Sequence, residues 1–391
     1  DRSAAQIARL TADATRERLT RTFREERVRR DREQADSLWP RLKRHPLRAR
    51  QLLVERAPEF HTWAMCERLC EESAKAAAAD AGRALDLADL ALLAAIRGPG
   101  GEAWHSRLQG YAWAFLANAR RVANDLPEAE KAFATAWKLW EAGEEIDPEP
   151  LQEWRLYDLQ ASLRRDQRRL AEALDLLERA ELKNGAGKAR GRVLVNKATI
   201  LEQMGEHERA IEMLEQAESL VDQKAEPRIA FASRFILVAN LLYLGRHGDA
   251  AAALPGVRSA AIQLGNDLDL IRVLWLDGRT AAGLGRRVDA LAAFEQVRSE
   301  FASRRLLYDV ALVTLELAVL HLEEGRAERV KDLVREMAPI FRAQKVHREA
   351  LAALKIFREA AMRQKATADL AKRVVAYLCQ ARHDPSLKFP G

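Results

Sequence analysis

Cysteine, proline and glycine are all scarce in this sequence, and each shortage excludes a class of protein. Three cysteines in 391 residues exclude a disulfide-stapled scaffold and are typical of a reducing compartment, which predicts a cytoplasmic protein. With 12 prolines and 19 glycines, the chain has few of the residues that make tight turns between strands. Alanine, leucine, arginine and glutamate dominate instead, which favours an all-α fold.

Long hydrophobic runs are also missing. No stretch approaches the roughly 18 apolar residues that a membrane span needs, and no segment has the pattern of a signal peptide, so we expect no membrane partner. The hydrophobic share of 48% is nevertheless enough for a long core, and it argues against a chain that is disordered throughout.

The positive charge of the chain is concentrated at its N-terminus. The whole sequence carries a net charge of +6, whereas residues 1–56, with 16 Lys and Arg against 9 Asp and Glu, carry +7 by themselves. The remaining 335 residues are therefore close to neutral, at −1. A basic chain suggests a nucleic-acid partner, but this distribution limits such a contact to the N-terminal helix or to a neighbouring part.

This N-terminal segment has the pattern of a solvated helix. Arginines over residues 16–32 alternate with acidic residues, several of them four positions apart, which stabilises a helix in water. Its apolar residues do not form a single stripe, because Ile7 and Leu10 share one face while Phe23 points roughly the other way. We therefore interpret the segment as an exposed, connecting helix and not as a core helix.

A seven-residue phrase recurs with a fixed period, and it is the strongest pattern in the sequence. Its glycines are 40 residues apart, at Gly205, Gly245, Gly285 and Gly325. A small residue follows five positions after each glycine: Ala210, Ala250, Ala290 and Val330. Apolar helical stretches flank each phrase, so the glycine fits a tight turn and the small residue fits a close approach of two helices. A period of this size is the signature of stacked helix pairs.

The repeat resembles the tetratricopeptide repeat. Gly278, Gly285, Ala290 and Phe294 match the two glycines and the small-then-aromatic signature of that family. A second copy of the pattern is formed by Trp113, Leu116, Ala129, Phe133 and Ala136. The period departs from the family's usual value of about 34 residues, and the closing proline is generally absent. The longer period resembles that of helical sensor regions in bacterial regulators that carry a helix-turn-helix DNA-binding domain.

The resemblance implies an all-α, tetratricopeptide-like α-solenoid, a right-handed superhelix of antiparallel helix pairs. The breakers and the apolar periodicity predict eight such pairs between about residues 59 and 382. We expect residues 1–56 to form a basic N-terminal helical or linker segment, residues 57–383 the repeat array, and residues 384–391 a C-terminal tail.

No pattern of catalytic or cofactor-binding residues is present, so we expect neither an enzyme nor a cofactor. Cys66 and Cys70 are four residues apart on one helix, but a zinc site needs further soft or imidazole ligands, and two buried thiols are the better interpretation. His321 lies in an apolar run and is interpreted as a hydrogen-bonded core or groove residue. Seven of the eight tryptophans fall within the first 154 residues, which indicates large side chains packing in irregular repeats, with an aromatic binding pocket as the alternative.

The resemblance also implies where a ligand binds, because the first helix of each pair lines a groove in that family. Carrying the groove positions onto this sequence gives a candidate site of twelve residues: Tyr111, Asn118, Arg121, Arg155, Asp158, Ser162, Arg165, Arg192, Thr199, Glu202, Arg272 and Arg279. Arg155, Arg192 and Arg272 occupy equivalent positions in three repeats. Such arginines form bidentate hydrogen bonds with carboxylates of an acidic or C-terminal peptide segment. Alternatively, they pair with acidic residues of the groove itself.

Two functions stay open at this point. In the first, the chain is the peptide- or protein-binding sensor region of a bacterial transcriptional regulator, with its DNA-binding part upstream of Asp1. In the second, it is a scaffold or adaptor that docks an enzyme or effector. A second copy of the chain is a further candidate partner in either case.

Overall fold

All the regular structure in the described part of the chain is helical. The computed structural model describes residues 2–77, 80–145, 149–184, 189–336, 348–363, 365–381 and 387–389. These residues form a short 3-10 helix at Pro58–Phe60 and the following α-helices: α1 (Arg2–Lys43), α2 (Leu47–Arg56), α3 (Trp63–Ala76), α4 (Ala81–Arg97), α5 (Glu102–Val122), α6 (Leu126–Ala142), α7 (Trp154–Asp166), α8 (Leu170–Asn184), α9 (Arg190–Met204), α10 (His207–Glu218), α11 (Pro227–Tyr243), α12 (His247–Leu264), α13 (Asp267–Gly283), α14 (Arg287–Ser303), α15 (Leu307–Glu323), α16 (Ala327–Glu336), α17 (Arg348–Met362) and α18 (Ala368–Ala381).

The helices from α3 to α18 occupy the positions of the sixteen helices that the eight predicted pairs require. The first pair begins later than expected, because Pro58–Phe60 make a 3-10 turn and Thr62 caps α3 by accepting a hydrogen bond from the Met65 amide. The last pair ends at Ala381, and residue 382, with most of the expected tail, lies outside the described residues. Leu387 and Phe389 of that tail pack against the core that contains α18.

The chain divides into two compact units. Unit 1 comprises residues 1–167 and 175–184, and unit 2 comprises residues 168–174 and 185–391. Unit 1 has a continuous core in which large side chains are completely buried, among them Phe60, Phe115 and Phe133. Six tryptophans of the N-terminal region pack in or against this core and the seventh is buried, as predicted: Trp39, Trp63, Trp104, Trp113, Trp137 and Trp140, with Trp154.

The recurring glycines take the conformation that the repeat predicts. Gly205, Gly245, Gly285 and Gly325 have φ values of 80°, 70°, 74° and 71°, a left-handed backbone that only glycine adopts without strain. The small residues five positions later lie in the first turn of the second helix of each pair and face inward. Ala210, Ala250 and Ala290 are fully buried, and Val330 is 1% exposed. Each copy of the sequence phrase therefore forms the turn between the two helices of a pair, and unit 2 contains four such turns.

The basic helix α1 is only partly the exposed helix that its sequence pattern indicates. Side chains over residues 20–30 are largely exposed, but Leu38, Trp39 and Leu42 are buried in the core of unit 1. The prediction that this segment is not a core helix is therefore wrong for its C-terminal third. α1 also continues through Pro40 to Lys43.

Polar contacts hold this part of α1 on α3. Arg32 donates two hydrogen bonds to the Glu67 carboxylate, at 2.7 and 2.9 Å. The Trp63 indole donates to Asp31 at 2.9 Å. Because Glu67 is 7% exposed, its charge depends on the Arg32 guanidinium for compensation.

None of the helices described has both the length and the apolar character that crossing a lipid bilayer requires.

Candidate functional site

The first helices of successive pairs lie side by side within each unit. α3 contacts α5 and α5 contacts α7 in unit 1, while α9 contacts α11 and α11 contacts α13 in unit 2. Arg279 of α13 reaches Glu316 of α15, which extends the second row. We call each of these two surfaces the first-helix face of its unit. All twelve predicted site residues lie on α5, α7, α9 or α13.

Arg155 is the most unusual residue on the first-helix face of unit 1. Its guanidinium lies 5.2 Å from the ring centroids of both Phe115 and Trp154, a cation–π contact with each ring. Within the described part of the chain, Arg155 takes part in no ion pair. Burial opposes its charge, but the nearby Tyr111 and Asp158 outweigh burial and raise the pKa of Arg155. The side chain therefore keeps its positive charge, and its hydrogen bond with Tyr111 uses one of the five guanidinium donors.

The other predicted residues of unit 1 are connected to one another. Arg121 donates to the Asn118 side chain at 2.9 Å and forms a close ion pair with Asp166. Arg165 pairs with the same Asp166 at 3.0 Å. Ser162 donates to the backbone oxygen of Asp158 at 3.4 Å, and both Tyr111 and Asp158 are buried.

The predicted residues on α9 and at the start of α13 have partners in unit 2. Arg192 forms a close ion pair with Glu226 at the start of α11. The Thr199 hydroxyl donates to the Val195 backbone oxygen at 2.9 Å. Arg272 lies 3.7 Å from Asp269 one turn earlier on its own helix. Of the three equivalent arginines, Arg155 is therefore the one with the most binding capacity left.

Arg279 lines a pocket of about 470 Å³ in unit 2, and its positive charge acts on the Glu202 carboxyl group of α9. The Arg279 guanidinium lies 5.1 Å from the centroid of the Tyr243 ring, and its Nε atom lies 3.4 Å from Glu316. Burial raises the pKa of Glu202 to about 7, although the positive charge of Arg279 works against this shift. Glu202 is thus partly protonated near neutral pH.

Sequence reasoning missed the residues that complete this pocket. Tyr243 and Glu316 are on first helices but were not selected, because tyrosine and glutamate there look like ordinary surface residues. Lys372, Ala376 and Cys379 line the pocket from α18, the last helix of the array. The sequence predicts that helix but contains no signal for which face of it turns toward α15.

The cysteines of α3 are buried thiols, as predicted. Cys66 and Cys70 are both completely buried, and burial raises the pKa of Cys70 well above its usual value. The thiolate is the form that binds metals, so this environment disfavours a metal ligand. No cluster of three or more His, Cys, Asp or Glu side chains suitable for a metal ion is found among the described residues.

His321 is buried, but its environment differs from the hydrogen-bonded one expected from the sequence. The residue is 5% exposed, and neither ring nitrogen has a hydrogen-bond partner among the described residues. The nearest acidic group, Glu324, is 4.0 Å away. Burial lowers the pKa of His321, and the positive charges of Arg326 and Arg329 add to this while Glu324 and Glu295 oppose it.

We expect a His321→Leu variant to be more stable than the wild type, and the difference to grow at acidic pH. Removing a buried polar ring without partners is worth about 1–3 kcal/mol of unfolding free energy at pH 7. Because the pKa is lowered in the folded state, the unfolded state binds the proton better, and wild-type stability falls as the pH drops below the ordinary histidine value. Urea unfolding at pH 7 and pH 5 measures both effects. A variant that loses stability as steeply as the wild type would show that His321 does not cause the acid sensitivity.

The fold has counterparts among solved structures. No protein-family model matches the sequence, and no curated protein matches it. The crystal structure of a Rap protein complexed with competence and sporulation factor aligns over 82% of this chain and 88% of its own, with a TM-score of 0.58 and 14% identity. The crystal structure of the apo form of RapI aligns over 81% and 87%, with a TM-score of 0.58 and 11% identity. At these identities the similarity shows the fold, and the predicted all-α, tetratricopeptide-like solenoid is confirmed.

Proposed function

We propose that this chain is a non-catalytic protein that binds a peptide or a protein segment on its first-helix faces. The observation that carries the proposal is Arg155, a charged guanidinium held over two aromatic rings with no ion pair among the described residues. Arg279 repeats this chemistry in unit 2, over Tyr243. A partly buried arginine that has no bidentate contact with an acidic side chain is suited to bind the carboxylate of a ligand.

The surroundings of Arg155 support a ligand with both polar and apolar parts. Phe115 and Trp154 hold the guanidinium in place, so little side-chain entropy remains to be lost on binding. Tyr111 is buried beside it. Rigid aromatic and arginine side chains at the centre of a surface are the usual energetic anchors of protein interfaces.

The solved structures support the same class of function. One of the two Rap structures with this fold was determined in complex with a competence and sporulation factor, so the fold is able to hold a bound factor in that protein. Transferred to this chain, that capacity is part of the proposal.

The test is capture of peptides by the full chain. The immobilised protein is incubated with a random pool of ten-residue peptides, and retained peptides are identified by mass spectrometry and measured by fluorescence anisotropy. We expect selective retention by the wild type and a loss of about 10- to 100-fold in affinity for Arg155→Gln, the effect of removing a hydrogen bond to a charged group.

The matched control is Arg18→Gln, since Arg18 is an exposed arginine of α1. This variant should bind like the wild type. Retention of no peptide, or retention that responds equally to both substitutions, would contradict binding at the first-helix face.

The proposal has a finer form and an alternative. In the finer form, the chain is the cytoplasmic sensor region of a bacterial transcriptional regulator, the basic segment 1–56 connects the array to an upstream DNA-binding part, and that helix contributes contacts to phosphates. The exposed basic residues of α1 over 20–30 support this form.

In the alternative, the chain is an adaptor, alone or with a second copy. Electrophoretic mobility shift of the full-length gene product with and without the retained peptide separates them: peptide-dependent DNA binding favours the regulator, and none favours the adaptor.

A further inference from the structure

The pocket beside Arg279 has a wall that the repeat pattern does not supply. α18 packs on α15 in unit 2, where the Tyr308 hydroxyl donates to the Leu378 backbone oxygen at 2.5 Å. Lys372 of α18 forms an ion pair with Glu323 of α15 at 2.7 Å. These contacts fix the helix, so the pocket, which we call the α18 pocket, is a formed cavity closed on one side by α18.

The unused hydrogen-bonding capacity of the α18 pocket consists mainly of donors. Arg279 makes no side-chain hydrogen bond among the described residues, and its ion pair with Glu316 brings Nε to 3.4 Å from a carboxylate oxygen. Glu316, in contrast, also accepts a hydrogen bond from the Trp275 indole at 2.5 Å, so its two oxygens are occupied. The Arg279 side chain keeps 24% of its surface exposed, which leaves its remaining donors accessible from the pocket.

Lys372 adds a second cation at the α18 side of the pocket. It lines the pocket and has three donors, of which the hydrogen bond to Glu323 uses one. Two acidic groups oppose these cations: Glu316, which lines the pocket beside Arg279, and Glu202, which acts on Arg279 from α9. Burial raises the pKa of both carboxyl groups, that of Glu202 to about 7, so their negative charge is reduced. The complement of this donor set is an anionic acceptor, and a carboxylate suits an arginine best because both of its oxygens accept from one guanidinium.

The rest of the wall is apolar. Its aliphatic members come from four helices: Leu242, Ala282, Val319, Leu320, Val375 and Ala376. A volume of about 470 Å³ is within the range of pockets that hold a small molecule or a large side chain. An apolar wall with a cationic end selects a ligand that combines a hydrophobic body and a carboxylate.

We propose that the α18 pocket binds the C-terminal residue of a peptide, with an apolar side chain against Val319, Leu320 and Val375 and the free carboxylate on Arg279. The inference rests on the proposed function and names the part of the ligand that this pocket recognises. A peptide end satisfies both requirements of the pocket with one residue, because its side chain and its carboxylate are attached to the same carbon. The carboxylate of a chain end is also the feature that distinguishes it from every internal residue.

The experiment compares three pools of pentapeptides with four random positions. One pool ends in leucine with a free carboxylate, the second ends in leucine amide, and the third ends in aspartate with a free carboxylate. We expect the wild-type full chain to retain the leucine acid pool about 10- to 100-fold better than the amide pool, which lacks the charged acceptor. The aspartate pool should also be retained poorly, because a second carboxylate meets the apolar wall.

Two variants and a control locate the effect. Arg279→Gln should remove the preference for acid over amide. Ala376→Phe, at an exposed position of α18 that lines the pocket, should fill it and reduce retention of the leucine acid pool with little effect on folding. Arg258→Gln removes an arginine of α12 that pairs with Asp277 of α13 outside the pocket, and it should behave like the wild type. Circular dichroism and the melting temperature confirm that each variant is folded.

The outcomes separate this inference from the function on which it rests. Equal retention of the acid and amide pools by the wild type overturns the inference while peptide binding stands. Retention of no pool by any protein overturns both. Binding of N-acetyl-leucine as tight as that of the pentapeptides also overturns it, because the occupant would then be a small apolar acid and not a peptide end.

Discussion

Replacing Arg32 by methionine is expected to lower the free energy of unfolding by about 2–4 kcal/mol, one of the two largest effects that the structure predicts. Arg32 donates two hydrogen bonds to Glu67, whose side chain is 9% exposed. Without the guanidinium, Glu67 would be left as a buried carboxylate whose pKa is already raised by burial. The carboxylate must then either stay charged without a partner or take up a proton, and both cost free energy.

The control for this prediction lies on the same helix. Arg24 pairs with Glu149 at 3.4 Å, but both side chains are more than half exposed, so Arg24→Met should change stability by less than about 0.5 kcal/mol. Chemical unfolding followed by circular dichroism measures both. Equal and small effects of the two substitutions would mean that α1 does not dock on α3 through Arg32.

Replacing Gly110 by alanine is expected to destabilise the chain by about 1–3 kcal/mol, although alanine is the better helix former. Gly110 lies on α5 where α6 passes closest. A Cβ atom at this position would meet the Ala136 backbone oxygen and the Trp140 backbone nitrogen, both at 2.8 Å. Because these atoms are backbone, the two helices must move apart to make room.

Gly256 provides the matched substitution. It lies inside α12, and the nearest atom to an added Cβ is Cδ of the flexible Arg234 side chain at 3.9 Å. Gly256→Ala should therefore stabilise the chain by about 0.5–1 kcal/mol through helix propensity alone. Melting temperatures that shift in opposite directions would confirm the close approach of α5 and α6. A stabilising Gly110→Ala would contradict it.

The repeat explains why the fold could be predicted from the sequence. Each turn within a helix pair combines a glycine that adopts a left-handed backbone, such as Gly245, with a small residue that must be buried, such as Ala250. These requirements concern residues that are close together in the chain, so they are visible as a pattern in the sequence. The helices begin and end close to the positions that this pattern predicts.

The packing of α1 on the core was not predicted, although a short stripe of apolar residues in its sequence indicates it. Ala35, Leu38, Trp39 and Leu42 follow the spacing of one helical face, and all four are buried. The charged residues before them dominate the average over a helix of 42 residues and conceal this short stripe. A shorter window over the last third of the helix would have detected it.

The candidate site stays a prediction, and its ion pairs could not be read from the sequence. The family register placed the candidate residues, including Arg155 and Arg279, on first helices, and the structure has them on α5, α7, α9 and α13. It did not distinguish Arg155, which has no ion pair among the described residues, from Arg192, which is occupied by Glu226. Ion pairs between residues more than 30 positions apart depend on the three-dimensional packing of whole helices, and no periodic pattern records them.

The central claim is that a peptide binds on the first-helix faces, and photo-crosslinking tests it most directly. The peptide that the full chain retains most strongly is synthesised with a benzophenone side chain, irradiated on the protein, and the adducts are located by mass spectrometry. The account predicts adducts on first helices such as α5, α7, α13 or α15, and their loss with an excess of unlabelled peptide. Adducts confined to second helices such as α6, α12 or α14 would contradict it.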